Sequence, residues 1–316
     1  MGSWCGSCRV LRASALSALA GALYALTAAQ ESAAQESADP GTSGERLLYE
    51  IKPSATDPAI RRFDEPHVVI FEAATPATAR LAVFLPGTDG RPAGAAKLLR
   101  VVAEQGYRVI GLEYDDTPAV VQVCPRSPSP LCSADFRRRR IFGDADARVV
   151  DNPPSESIIN RLVKLLQYLA KEHPEQGWDG YLTGDAPAWD RIVVSGLSQG
   201  AGMAAYIAKR VRVARVVLFS SPWDYSEHPP TLAPWLIEPS ATPPERWFAE
   251  YHRRERTADL LAQAYKALGI PANHVLIFDL GLPEGNGSRS DNPYHGSTIH
   301  VAEYAPQWRI LFGRSP

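Results

Sequence analysis

The 316-residue chain lacks an excess of either charge, with 33 Lys and Arg against 35 Asp and Glu and a formal net charge of −2. That balance gives no reason to expect nucleic-acid binding or attraction to an anionic membrane surface. No internal stretch is long and apolar enough to span a bilayer. No internal repeat is visible. Cysteine is scarce, four residues in all, and the two that lie beyond the N-terminal segment are too few for a zinc site. What remains is ordinary in composition, 45% apolar and 22% charged, as in globular proteins. The length suffices to bury a sizeable core, and α/β folds of this length are often a single domain.

The N-terminus reads as a targeting segment. Arg9 and Arg12 supply a positive n-region, residues 13–26 a short apolar h-region, and Thr27-Ala28-Ala29 small residues for cleavage before Gln30. Residues 1–29 are therefore expected to be a signal peptide, and the polar, low-complexity residues 30–44 a disordered leader. A membrane anchor is the rival reading, but the apolar run is short for one. Export agrees with cysteine usage. Cys5 and Cys8 would leave with the signal, and Cys124 and Cys132 bracket a Pro/Ser-rich loop that an exported chain is expected to close as a disulfide.

Within 45–316, short apolar runs alternate with longer helical patterns, which implies a parallel α/β sheet. Strands are expected at 47–51, 68–72, 80–85, 107–114, 190–195, 214–219, 246–251 and 274–280. Helices are expected at 95–104, 155–171 and 258–268, the second with Ile158, Leu162, Leu165, Leu166 and Leu169 on one face. Residues 115–154 read as a long irregular excursion. Its basic run, Arg137 to Arg140, reads as a solvated or salt-bridged surface, with anion binding as the rival reading. The Pro/Trp-rich stretch 222–244 reads as too irregular to be core.

The chemistry gathers around Gly196-Leu197-Ser198-Gln199-Gly200. A β-branched run precedes it and small, helix-starting residues follow, so the segment has the form of a G-x-S-x-G nucleophile elbow. A serine hydroxyl is a weak nucleophile at neutral pH and needs a base. Downstream stand His228, His252, His274, His295 and His300. His295, in a Gly/Ser/Asn-rich loop after the last strand, sits at the carboxyl edge where parallel sheets form sites. His300, among Thr298, Ile299 and Val301, is its rival. The acid that orients the base is either Glu255, after the 246–251 strand, or Asp224, after the 214–219 strand. The loop 85–90 (LPGTDG) follows the third strand, where backbone N–H groups of Thr88 and of Gln199 would serve as oxyanion donors. The competing reading of that loop is a plain turn. Trp223, Tyr225, Trp235 and Trp247 either line a pocket above the elbow or pack in the core.

On the LPGTDG loop, the GLSQG elbow, a strand-end acid and the late PYHGS histidine, the chain from about Leu47 onward resembles the α/β-hydrolase superfamily. More narrowly, it is similar to secreted serine hydrolases and esterases that share the Ser-Ser-Pro-x-Asp turn at 220–224 and the H-x-x-D/E element at 252–255. The resemblance implies an α/β-hydrolase fold, a mostly parallel central sheet of about eight strands with helices on both faces. It also implies two-step acyl transfer by Ser198, with His295 as base and no metal or organic cofactor. Two departures stand out. Pro86 replaces the histidine of the common HG oxyanion motif, and the acid, if Glu255, is not the usual Asp.

The leading expectation is an exported (extracellular or periplasmic) carboxylic-ester hydrolase acting on small-molecule or polymeric esters. It would bind no nucleic acid and have no stable membrane insertion after signal cleavage. A serine peptidase or amidase, and a non-catalytic binding protein on the same scaffold, are the alternatives.

Overall fold

Runs of β-branched and large apolar residues form the strands β1 (Arg46–Ile51), β2 (His67–Glu72), β3 (Leu81–Leu85), β4 (Arg108–Gly111), β5 (Ile192–Leu197), β6 (Arg215–Phe219), β7 (Trp247–His252) and β8 (Val275–Phe278). They make one eight-stranded sheet in the order β1-β2-β4-β3-β5-β6-β7-β8. β1 pairs antiparallel with β2, and β2 antiparallel with β4; every other pairing in the sheet is parallel. This computed structural model describes residues 45–227, 230–282 and 291–315. The expected signal peptide, with Cys5 and Cys8, and the expected leader lie outside the described residues. The elements belong to a compact unit, Ser43–Pro316.

The sheet is covered on both faces, so its central strands are mostly apolar at successive rather than alternate positions, as in β3, which is apolar throughout. On β3, Leu81, Val83 and Leu85 join one core with helix α3 (Ile158–Glu172) and helix α4 (Gln199–Arg210). Ala82 and Phe84 point the other way, into a second core with helix α1 (Ala96–Ala103) and the helix Ala305–Phe312. The expected face of α3 is buried, and Ser157 caps the helix by accepting from the Asn160 amide at 3.2 Å. The expected early strands, the 190–195 strand and the last strand all appear within a few residues of their expected bounds.

Three expectations need correction. Residues 115–154 are not wholly irregular: they contain the helix Cys132–Phe142, here α2, preceded by the Cys124–Cys132 disulfide. The arginines of α2 are not a surface run. Arg137 and Arg140 are fully buried. Arg140 pairs with the buried Asp115 at 2.9 Å, and Arg137 makes a two-pronged pair with the buried Asp224, one prong being Nε to Oδ2 at 2.8 Å. Only Arg138 and Arg139 stay half-exposed. Buried carboxylates need paired cations, and these come from residues distant in sequence. The stretch 222–244 also contributes to the core. Trp235 is buried edge-on against Tyr206 of α4 at 5.2 Å and donates its indole N–H to Asp224 at 2.8 Å. An irregular backbone still delivered a large buried side chain.

At the start of β2, His67 is fully buried, and its Nδ1 accepts from the Glu113 amide at 2.9 Å. Burial, helped by the positive charge of Arg161, pushes its pKa down to about 3. A depressed histidine stabilises the fold above its unfolded pKa of about 6.5, and that contribution is lost as pH falls toward 3. Glu113 works the other way. Burial lifts it to about 8, so its contribution is full below its ordinary value and lost as pH rises through 8. We predict that His67 alone costs about 2 kcal/mol between pH 7 and pH 5. His67→Asn keeps an acceptor for the Glu113 amide but cannot titrate. Calorimetry across pH should therefore show a shallower acid-side fall in Tm for this variant, and equal slopes in the two proteins would refute the assignment.

Candidate active site

The five residues from Gly196 to Gly200 turn the chain from the end of β5 into α4. Ser198 sits at the corner with φ 53° and ψ −118°, a region that side-chain-bearing residues seldom occupy. Its amide donates to the Phe219 carbonyl at the end of β6 (2.9 Å), and its carbonyl accepts from Gly202 (3.1 Å) to open the helix. The flanking glycines are demanded by space. A Cβ on Gly200 would stand 2.5 Å from the Pro86 carbonyl oxygen, and one on Gly196 2.6 Å from that of Leu85. Gln199 is the first residue of α4, so its amide belongs to the turn whose N–H groups have no intrahelical acceptor.

The LPGTDG loop does contain a turn, closed by the Gly90 amide on the Gly87 carbonyl at 2.9 Å. It is also anchored from outside. The Tyr114 hydroxyl donates to the Pro86 carbonyl (2.9 Å), and the Asp89 amide donates to Asp116 (3.2 Å). Thr88 and Gln199 share with Ser198 the lining of a small cavity of about 20 Å³, room for about one water. Arg137, Ser221 and Trp223 complete much of its wall. Of these, Arg137 escaped the sequence reading as a neighbour of Ser198, since nothing in an Arg run says that it folds under an elbow 61 residues onward.

His295 does not lie in a loop. It stands in the first turn of the helix Pro293–His300, here α6 after α5 (Ala258–Ala267), because Pro293 at the first position starts the helix there. Its Nδ1 is 2.8 Å from Glu255 Oε2. The other oxygen of Glu255 accepts from the His252 amide (2.8 Å) and from the Ser220 hydroxyl (2.5 Å). The H-x-x-E spacing explains the first of these bonds: the Glu255 amide donates back to the His252 carbonyl (3.0 Å), so the four residues close a turn after β7. The carboxylate is buried while the imidazole is about one-fifth exposed. With Nδ1 facing a carboxylate, Nε2 is the nitrogen left for a reacting group.

Asp224 faces no histidine among the described residues. Its carboxylate accepts from Arg137 and from Trp235 Nε1. His300 ends α6, exposed, with its carbonyl accepting from Lys97 (3.3 Å). His274 stacks on Phe248 at 4.2 Å before β8, at the strand's far end. Trp223 and Tyr225 line a cavity near the elbow, whereas Trp235 and Trp247 are buried in the core. His228 lies outside the described residues. Sequence reasoning missed Glu250, fully buried on β7. Burial first, and then the negative charge of Glu255, push Glu250 well above the usual carboxylate range. Among the described residues no group of three or more His, Cys, Asp or Glu side chains is placed to hold a metal ion, and no helix is long and apolar enough to cross a membrane.

A mostly parallel eight-stranded sheet, an antiparallel second strand and an elbow after β5 decide the architecture. The chain has the α/β-hydrolase fold. No protein-family model matches the sequence, and no curated protein matches it. Solved structures of this fold are similar to it at low identity. An inhibited esterase B from Lactobacillus rhamnosis shares 14% identity over 84% of each chain, with a TM-score of 0.48. Esterase 2 of Thermogutta terrifontis shares 14% over 85% of this chain and 96% of its own, at 0.43. A dienelactone hydrolase from Anabaena variabilis shares 12% over 84% and 97%, at 0.40.

The close approach at Gly200 generates a stability prediction. Gly200→Ala should cost about 3 kcal/mol in chemical denaturation, because backbone atoms of Leu85 and Pro86 occupy the space. Gly94→Ala, whose Cβ would meet nothing within 4 Å, should stay within about 0.5 kcal/mol of wild type. Equal effects of the two substitutions would contradict the packing argument.

Proposed function

We propose that this chain is an exported serine hydrolase of carboxylic esters, with Ser198 as nucleophile, His295 as base and Glu255 as the acid. The observation that carries the reading is the 2.8 Å bond from His295 to Glu255. It is supported from the same strand ends that hold the strained Ser198. Ser220, which bonds Glu255, directly follows the Phe219 whose carbonyl holds the Ser198 amide.

In this reading, Ser198 Oγ attacks the ester carbonyl carbon while His295 Nε2 takes the hydroxyl proton. Glu255 holds the Nδ1–H tautomer and stabilises the imidazolium. The backbone amides of Gln199 and Thr88 receive the oxyanion, and Thr88 sits on a loop already anchored before substrate arrives. Collapse of the tetrahedral intermediate expels the alcohol, which takes its proton from His295. A water then repeats the sequence on the acyl-enzyme, giving up a proton to His295 and releasing the carboxylic acid and free Ser198. No step calls on a metal or an organic cofactor. Asp224 serves structure instead, neutralising the buried Arg137. The Cys124–Cys132 bond supports export, since such bonds persist in oxidising compartments. Cleavage after Ala29 would leave a mature chain with no apolar leader.

A fluorophosphonate probe should label the secreted protein and fail to label Ser198→Ala. Absence of Ser198-dependent labelling in folded protein would refute the reading. Glu255→Gln should lower kcat at least ~10³-fold, because the imidazole loses its orienting carboxylate. Asp224→Asn should act mainly on stability, and a larger loss of kcat per folded molecule for Asp224→Asn than for Glu255→Gln would move the acid to Asp224. Mass spectrometry of the secreted chain, checking for Gln30 at its N-terminus, tests export.

A further inference from the structure

Beside the small cavity at Ser198 lies a second, much larger one of about 490 Å³. The two share Val120, Val121, Trp223 and Asp224 as lining, so they adjoin at these residues, and the larger one begins where the small one at Ser198 ends. That volume is roughly three times the ~150 Å³ cavity that accepts one benzene, and it falls in the range of small-molecule sites.

Its chemistry is mostly apolar, with the Glu227 carboxylate, Thr231 and three serines as the polar part of the lining besides Asp224. Val120, Val121, Trp223, Leu232, Leu260 and Pro125 present carbon. The charge of Asp224 is matched by Arg137, so this carboxylate offers no unpaired charge to a ligand. Two segments build the walls. One is the loop closed by Cys124–Cys132. The other is the hairpin of strands Tyr225–Glu227 and Pro230–Leu232. They are tied together where the Glu227 amide donates to the Pro125 carbonyl at 2.8 Å. The hairpin is tied at its base as well, by the Ala233 amide on the Asp224 carbonyl at 2.9 Å.

We propose that this cavity receives an uncharged, apolar arm of the ester substrate, and that the Cys124–Cys132 disulfide keeps the cavity open. The proposal rests on the serine-esterase reading of Ser198. The disulfide then governs which esters are accepted rather than the bond-breaking chemistry. Cutting it frees the loop that carries Pro125, and with it the hairpin edge that hangs on the Pro125 carbonyl. An ester carries two arms, and either can be the apolar one.

Two substrate series separate the arms: p-nitrophenyl esters of lengthening acyl chain, and acetate esters of lengthening alkyl alcohol. Burying a methylene adds about fourfold to kcat/KM when its full transfer free energy is realised in the transition state. One series should therefore climb about two- to fourfold per methylene over its first several members and then level off. The climbing series identifies the arm. Leu232→Trp should lower the ratio of kcat/KM for a long ester to that for the acetate at least tenfold, and Leu260→Trp should do the same from α5. The double variant Cys124→Ser, Cys132→Ser, or mild reduction of wild type, should flatten the climb.

Ser198-dependent turnover that is flat in both series overturns the proposal and leaves the esterase reading standing. So does a climb that Leu232→Trp and Leu260→Trp both leave intact. A climb that survives loss of the disulfide overturns the role given to Cys124 and Cys132. Absence of Ser198-dependent turnover on every ester overturns both readings together.

Discussion

The placement of Ser198 depends on one close contact, the backbone of Gly196 and Gly200 against the carbonyls of Leu85 and Pro86. Parallel pairing sets it up. Leu85 stands opposite Gly196, Leu197 opposite Phe219, and Phe219 opposite Glu250, so the ends of β3, β5, β6 and β7 line up in one row. With no side chain at Gly200, helix α4 can begin directly over the end of β3, and Ser198 is driven into its positive-φ corner. Strain of this kind costs ~1–3 kcal/mol and persists only where the surroundings over-determine it. Here they do, through the Phe219 carbonyl on one side and the first turn of α4 on the other.

Around this row, buried charge fixes the regions that the sheet does not. Leaving one member of a buried ion pair without its partner costs ~3–5 kcal/mol, although the intact pair adds little net stability. Arg137 to Asp224 and Arg140 to Asp115 therefore act mainly as registration devices. The guanidinium of Arg137 lies 5.4 Å from the Trp235 ring and occupies the space where Gly202 has no Cβ. Helix α2, the turn at 220–224 and the start of α4 are thus locked to one another through a single side chain. The same lock positions one end of the hairpin that walls the larger cavity, since Asp224 also accepts the Ala233 amide through its carbonyl.

The strands of the sheet were legible because burial on both faces leaves an unbroken apolar signature, as in Leu81–Leu85. The elbow was legible because two glycines, a serine, a preceding strand and a following helix must all occur together. The basic run of α2 misled because its partners, Asp115 and Asp224, lie far off in sequence, and charge alone gives no hint of burial. Trp235 was left between pocket lining and core for a related reason. It follows Pro234 in a short 3₁₀ turn, so no period marks its inward face. His295 was placed at the right end of the sheet by chain order, but the glycine- and serine-rich composition around it hid a helix that Pro293 starts.

The choice between the two acids shows what sequence leaves open and geometry addresses. Asp224 and Glu255 both follow a strand in the central sheet, and each is almost wholly buried. They differ in what meets them. Asp224 meets a guanidinium and an indole N–H, which hold it in place and bring no imidazole to it. Glu255 meets one amide and one hydroxyl on Oε1, and Oε2 faces an imidazole with the Thr257 hydroxyl beside it. Beside it, Glu250 is pushed well above the usual carboxylate range by burial and then by the charge of Glu255. Like charges in one dry pocket would raise each other's cost of ionisation, and environments that drive the pKa values of neighbouring carboxyls apart commonly divide their roles. In the proposed reaction, the imidazolium formed by proton transfer from Ser198 would face the Glu255 carboxylate at the 2.8 Å contact already in place, and the upward shift of Glu250 sets that neighbouring carboxyl apart from it.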